Sequence, residues 1–324
     1  MVSYYRVLGA GVWGLAFSNY LLKLGHNVDI FCRDVNLEKK NLSELSQCKL
    51  YSGHIKNLSS LKKCDPNAVT NIIATNSTGF VQLVESNEDY FAKLNNIVWL
   101  TKGLEHNTGK LFSSYLINKL NQIDLALISG PSFAEDLCLN EKMEVSVASN
   151  SFSLSNKLID EISSDIFSLK ATSSLQAIEI AGFIKNIAAI LCGMTEKLFS
   201  KNKIDFIITK ACDEVISMYS SIINKEIDEN LRNEIINSPG CLGDMNLTCK
   251  QKKSRNYRFG SLISDEGISI DEAIERIGTV EGYTCCLTLI EKSKLVKGDV
   301  TNTLYEIISK RDNRSEILKN FLQL

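Results

Sequence analysis

Lys185, Arg255, Asn256 and the glycines at positions 9, 11 and 14 are the residues of this 324-residue chain whose types and spacing can do chemistry. Lys185 lies in LQAIEIAGFIKNIAAILCG, from Leu175 to Gly193, a proline-free run of helical length with apolar residues at helical spacing. At about 100° per residue, Ile180, Ile184, Ile187 and Leu191 fall on one side. Gly182, Lys185, Asn186, Ala189 and Gly193 gather on the other. A solvated face would carry several long charged side chains. This one carries a single lysine and asparagine among glycines and alanines, small enough for a backbone or ligand to come close. On this helix alone, a lysine snorkelling from an ordinary core helix is the favoured reading. The rest of the chain favours a functional cation.

The element that must position a ligand comes first in the chain. Tyr4 to Leu8 reads as a short buried strand. Gly9, Ala10, Gly11, Val12, Trp13 and Gly14 follow, and then a helical pattern from Leu15 to Leu24, closed by Gly25. This is G-x-G-x-x-G in strand-turn-helix context. Gly9 allows the tight turn, Gly11 lets backbone approach a pyrophosphate, and Gly14 permits close helix–strand packing, so the helix N-terminus receives the phosphate charge. A glycine-rich turn without ligand is the plainer alternative. The second strand, Val28 to Phe31, ends where an adenosine ribose lies in such folds, with a carboxylate favouring a free 2′-hydroxyl and an arginine a 2′-phosphate. Arg33 points to NADP(H). Asp34 beside it can tie up Arg33 or bind the ribose itself, so NADP(H) and NAD(H) both stay open.

Asn36 to Lys63 is polar and reads as helix and loop. Further buried strands are expected at Val69 to Ala74, ending in Thr75, Asn76 and Ser77, and at Ile97 to Leu100, ending in Thr101, Lys102 and Gly103. Another runs from Leu125 to Ile128, ending in Ser129, Gly130, Pro131, Ser132, Phe133, Ala134 and Glu135. Lys102 can reach a phosphate from its strand end or be a plain loop lysine. The turn at Gly130 leaves backbone N–H groups for an anion or carboxamide. Glu144 to Ala148 and Ile166 to Lys170 look like the last strands, with a helix from Ser153 to Ser163. Beyond about Thr172 the pattern is almost wholly helical. The expected architecture is therefore α/β, a Rossmann-type domain over 1–172 followed by a mostly α-helical domain over 173–324.

In the second half, Asp205 to Lys225 reads as a long helix. Ser238 to Gly260, SPGCLGDMNLTCKQKKSRNYRFG, is the densest cluster of glycine and polar groups. Lys250, Lys252, Lys253, Arg255 and Arg258 make it locally cationic, which suits a small anionic substrate. Arginine grips a phosphate through two parallel hydrogen bonds, and Asn256 can donate another. A solvated basic loop is the alternative, though it would not need Gly243, Asp244 and Thr248 alongside. Ile268 to Ile277 is a helix introduced by Ser269.

The net charge of −2 offers no electrostatic reason to expect nucleic acid or an acidic membrane as partner. The ten cysteines show neither paired C-x-x-C spacing nor a dense disulfide framework, and His26, His54 and His106 are scattered, so no metal site is expected. Met1 leads straight into a strand-like segment, and no run of about 18 apolar residues is expected anywhere. A cytoplasmic location is the expectation, with cysteines acting mostly as small buried hydrophobes.

GAGVWG, TKGLE (Thr101 to Glu105), SGPSFAED (Ser129 to Asp136), EIAGFIKN (Glu179 to Asn186), GDMNLTC (Gly243 to Cys249), SRN (Ser254 to Asn256) and VEG (Val280 to Gly282) together resemble the NAD(P)-dependent glycerol-3-phosphate dehydrogenases. Their order spans nearly the whole chain. The resemblance implies reversible reduction of dihydroxyacetone phosphate to sn-glycerol 3-phosphate, a phospholipid precursor, by a homodimer. It implies Lys185 as catalytic proton donor and acceptor and Asp244 as a second catalytic-site residue. Ser254, Arg255, Asn256, Lys102, Gly130 and Ser132 match substrate contacts. Besides Gly9, Gly11, Val12 and Gly14, the residues Trp13, Arg33, Lys102, Ala134, Arg255 and Glu281 match cofactor contacts. Two positions depart from the family pattern: Leu15 replaces a frequent threonine, removing a hydroxyl, and Asn76 replaces a frequent proline, which is expected to loosen a turn.

Hydride delivery to a carbonyl carbon leaves negative charge on oxygen, so such a site needs a cation and a proton source. Lys185 can be both, since a free lysine titrates near about 10.4 and is an ammonium at neutral pH. 6-Phosphogluconate and hydroxyacyl-CoA dehydrogenases also join a Rossmann domain to helices, though no His-Glu pair of the latter is evident. A regulatory dinucleotide sensor would be expected to lack the lysine or the SRN triplet.

Overall fold

The computed structural model describes residues 2–34, 55–67, 69–120, 122–199, 203–265, 267–310 and 312–324. The expected helix and loop of Asn36 to Lys63 thus fall largely outside the described residues; its last part forms a short strand, β3 (Ile55–Asn57), and a 3₁₀ turn at Leu58–Lys63. The chain divides into two compact units. One comprises Met1–Lys102 and Phe112–Leu175, the other Gly103–Leu111 and Gln176–Leu324. Gly103–Leu111, inside the first half of the sequence, therefore packs with the helical unit. Glu105 organises that excursion from a buried position, accepting the Asn107 and Thr108 N–H groups at 2.6 and 2.7 Å.

The first unit is one eight-stranded sheet with flanking helices. Its strands are β1 (Tyr4–Leu8), β2 (Asn27–Cys32), β3, β4 (Thr70–Ile73), β5 (Asn96–Trp99), β6 (Asp124–Ser129), β7 (Met143–Ser149) and β8 (Phe167–Thr172). They lie in the order β3-β2-β1-β4-β5-β6-β7-β8. All neighbours are parallel except β6 and β7, which run antiparallel with Ile128 opposite Val147. The strands are apolar through most of their length because helices cover both faces of a parallel sheet. These helices are α1 (Val12–Lys23), α2 (Ser77–Ser86), α3 (Phe112–Lys119), α4 (Ala134–Cys138) and α5 (Phe152–Ile162). The strand order reverses direction between β1 and β4, and ligands of such sheets bind at the carboxyl ends beside that reversal.

The second unit is helical: α6 (Leu175–Leu198), α7 (Ile204–Ile223), α8 (Glu229–Ile236), α9 (Asp244–Lys250), α10 (Arg255–Ile263), α11 (Ile270–Ile277), α12 (Glu281–Glu291), α13 (Asp299–Ser309) and α14 (Arg314–Phe321). The polar cluster Ser238 to Gly260 is thus mostly helical, a π-helical turn at Pro239–Gly243 running into α9. Contrary to the expectation of no long apolar run, α6 is long and apolar enough to cross a membrane by length and composition, because charged residues are few within its apolar window; that window is wholly buried, marking it as a core helix. Its side chains join the core cluster of this unit. Ser269 caps α11 by accepting the Glu272 N–H.

The small face of α6 is where other backbones meet it. A Cβ on Gly193 would stand 2.0 Å from the Tyr257 carbonyl oxygen of α10, one on Gly260 of α10 would stand 1.9 Å from the Ile190 carbonyl oxygen, and one on Gly282 of α12 would stand 2.4 Å from that of Asn186. Three glycines therefore set the spacing between α6, α10 and α12, the helices that carry Lys185, the SRN triplet and Glu281. Backbone cannot retreat as a flexible side chain can, so Gly260→Ala should destabilise the chain by about 3 kcal/mol, the upper range for overpacking. Urea unfolding midpoints would show it, and an unchanged midpoint would contradict this packing.

Candidate active site

In the first unit the glycine turn is built as its spacing predicts. Gly9 has φ of +130°, and a Cβ there would lie 2.4 Å from the Ala74 carbonyl oxygen. A Cβ on Gly14 would lie 2.3 Å from the Gly9 carbonyl oxygen, so the turn and α1 pack at a distance only glycine allows. At Gly11 the same construction meets no protein atom within 4 Å. Gly11 is the N-cap of α1 and provides no side-chain cap, so the first N–H groups of the helix, Val12 to Gly14, are left for an outside acceptor. Open space over Gly11 and uncapped helix donors suit a dinucleotide pyrophosphate.

These groups border a cavity of about 670 Å³ at the carboxyl ends of β1, β2 and β4, lined by Gly9, Gly11, Arg33, Asp34, Asn76 and Gln82 among others. Arg33 donates from Nη1 to Gln82 Oε1 at 3.1 Å. Asn76 does not loosen its turn: its side-chain oxygen accepts the Gly79 N–H at 2.7 Å and caps α2, replacing the rigidity of a proline with a hydrogen bond. Leu15 is fully buried in the core, where a hydroxyl would add nothing. Val12 and Trp13 open α1, Trp13 half-buried against Phe17, and Ala134 opens α4.

A second group in this unit joins Lys102, Gly130 and Ser132. Lys102 Nζ and Ser132 Oγ both donate to the Gly130 carbonyl oxygen, at 3.3 and 3.1 Å. Gly130 is pressed against Val145, where a Cβ would come within 2.8 Å.

The helical unit holds the remaining residues in one cluster. Lys185 is 7 % exposed, and its Nζ donates to Asp244 Oδ1 at 2.7 Å and to Thr248 Oγ1 at 2.9 Å. Asp244 and Thr248 sit one helical turn apart on α9, so both face the same ammonium. Two of the three ammonium donors are satisfied. The third meets no acceptor among the described residues. Thr248 was noticed only as a neighbour in the sequence, because nothing there shows that α9 turns it onto the lysine.

Next along α6, the Asn186 amide donates to Glu281 Oε2 at 3.3 Å and its oxygen accepts Asn256 Nδ2 at 2.9 Å; Asn256 in turn accepts the Gly282 N–H at 3.0 Å. Asn186 thus joins Asn256 and Glu281 into one network, of which the sequence showed only that Asn186 lies on the small face of its helix. Ser254 caps α10 by accepting the Tyr257 N–H. Of the five cations of the polar cluster, Lys250 is paired with Asp205 at 2.7 Å and Lys252 with Glu196 at 3.5 Å. Arg255 is exposed and makes no ion pair among the described residues.

Behind α9, burial and then the hydrogen bond to Cys249 push the Cys192 thiol well above its ordinary range, so it is an inert packing group. Most described cysteines are buried as expected, Cys138 among them although it is disulfide-bonded.

One unit with a doubly wound sheet and a pyrophosphate-ready helix start, and one helical unit with a buried lysine–aspartate pair, define an NAD(P)-dependent oxidoreductase of the CH–OH class. Residues 5–155 match the family described as NAD-dependent glycerol-3-phosphate dehydrogenase N-terminus, and residues 175–319 match the corresponding C-terminus. The chain belongs to that family. It is similar to a glycerol-3-phosphate dehydrogenase [NAD(P)+] of Clostridium tetani, 29% identical over 93% of this chain and 86% of the relative. It is 28% identical to that of Francisella tularensis subsp. novicida, over 98% and 96%. The crystal structure of glycerol-3-phosphate dehydrogenase from Coxiella burnetii superposes with a TM-score of 0.84 at 25% identity, covering 100% of this chain and 99% of that one.

Proposed function

We propose that this chain catalyses the reversible reduction of dihydroxyacetone phosphate to sn-glycerol 3-phosphate, the glycerol unit of phospholipids, with Lys185 as general acid and base. The carrying observation is the Lys185 ammonium, held on two donors by Asp244 and Thr248, with the third meeting no acceptor among the described residues. Gly9, Gly11 and the start of α1 would hold a nicotinamide dinucleotide, which would supply the hydride. Lys185 offers its third N–H to the substrate carbonyl oxygen. As the carbonyl carbon gains a C–H bond, negative charge grows on that oxygen; the Lys185 N–H bond breaks and an O–H bond forms. Asp244 keeps the ammonium oriented and balances its charge in a site that excludes water. Arg255 is assigned to the substrate phosphate, the group that distinguishes this substrate from a plain ketone.

The purified protein mixed with dihydroxyacetone phosphate and NADPH or NADH should lose the absorbance of the reduced cofactor. Without substrate-dependent loss with either cofactor, the reading falls. In the reverse direction Lys185 must start as a neutral amine, whereas reduction starts from the ammonium. The oxidation rate should therefore rise with pH while the reduction rate does not. Parallel pH profiles in the two directions would remove Lys185 from the proton-transfer role.

A further inference from the structure

We propose that Gln82 is a positioning residue that presents Arg33 to the 2′-phosphate of NADP(H), so that this chain favours the phosphorylated cofactor; the proposal rests on the dinucleotide reading of the β1/β4 cavity. A free ribose 2′-hydroxyl is received by a carboxylate at the end of the second strand. Here β2 ends in the buried, uncharged side chain of Cys32. Arg33 follows and is fixed at both ends: its carbonyl oxygen accepts Asn57 Nδ2 at 3.4 Å, and its guanidinium donates to Gln82 Oε1 at 3.1 Å.

Gln82 reaches the cavity because Gly79, Gln82, Leu83 and Ser86 form one stripe of α2 at helical spacing, and all four line the cavity that Gly9 and Gly11 border. Among the described residues, Arg33 and Asp34 are the only charged ones in that lining, and no described carboxylate pairs with Arg33. The neutrality of Gln82 matters. An amide oxygen orients the guanidinium without cancelling its charge, and the remaining N–H donors of the planar fork stay available for a bidentate phosphate contact. A carboxylate in the same place would hold Arg33 more tightly, neutralise it and repel the phosphate.

Gln82→Glu therefore separates charge from mere structure. Titrations of the protein with NADPH and with NADH, followed by nicotinamide fluorescence in the absence of substrate, read binding directly, and steady-state KM values read it again during turnover. The parent chain should bind NADPH about tenfold more tightly than NADH, Gln82→Glu should weaken NADPH about tenfold with little change for NADH, and Gln82→Ala should weaken NADPH about threefold. Unchanged NADH binding doubles as the control for folding. Equal losses for both cofactors, no loss in Gln82→Glu, or no preference in the parent chain would overturn the proposal while leaving the cavity a dinucleotide site. Failure of the parent chain to bind either cofactor would overturn the dinucleotide reading together with it.

Discussion

Lys185→Met lowers kcat for reduction of dihydroxyacetone phosphate by at least about 100-fold and leaves cofactor binding close to that of the parent chain, the expected scale for loss of a general acid. The methionine keeps the apolar stem packed in α6 but removes the ammonium that Asp244 accepts at 2.7 Å. It also strands a carboxylate that is only 1 % exposed, and breaking a buried pair on one side costs about 3–5 kcal/mol of stability. A fall in activity could then reflect unfolding alone. Two further variants separate these effects. Lys185→Met combined with Asp244→Asn removes both charges and should recover most of the lost stability without recovering turnover. Lys185→Arg keeps a cation against Asp244, yet a guanidinium does not give up its proton, so it too should remain at least about 100-fold slow. Turnover near the parent rate in either the double variant or Lys185→Arg would show that the proton comes from another group.

Arg255→Ala should lower kcat/KM for dihydroxyacetone phosphate by about 100-fold, mostly through KM, and change turnover of phosphate-free dihydroxyacetone by less than about twofold, as steady-state kinetics on the two substrates would show. Two charge-assisted hydrogen bonds to a phosphate contribute about 1.5–3 kcal/mol each, and about 1.4 kcal/mol is tenfold in affinity, so a loss near this size follows even when solvent weakens the contact. The fold should tolerate the change. Arg255 is exposed and Ser254, not Arg255, caps α10. Lys250 and Lys252, engaged with Asp205 and Glu196, are poor substitutes for it. Arg255→Lys should recover only part of the loss, since a point charge cannot reproduce a planar fork. Equal impairment toward both substrates would reassign Arg255 away from the phosphate.

Short-range signals carried much of the fold. Strands β1, β2, β4, β5 and β6 were legible as apolar runs ending in glycine or polar turn residues, because a strand buried on both faces leaves no room for a polar alternation. The glycine turn was legible because each of its glycines answers a local steric demand: Gly9 a positive φ, Gly14 a helix laid on the preceding carbonyl, Gly11 an open approach. Strand β3 escaped notice because three residues, IKN, carry too little periodicity to register. The antiparallel turn of β7 was equally silent, since strand direction is decided by where the chain returns rather than by the side chains of the strand.

The sequence by itself determined the kinds of group available: a dinucleotide turn at the N-terminus, a lone lysine on a face of small residues, and a cationic segment near residue 255. Their partners were a tertiary matter. That Lys185 meets both Asp244 and Thr248, that Asn186 ties Asn256 to Glu281, and that Gln82 holds Arg33 all depend on contacts between side chains 49 to 95 positions apart. Gly103–Leu111 joins the helical unit for the same reason. Local propensity and periodicity reach only a few residues along the chain, whereas these pairings are set by how closely helices can pack, and in the helical unit that closeness comes from Gly193, Gly260 and Gly282 admitting a neighbouring backbone where any side chain would have kept it out.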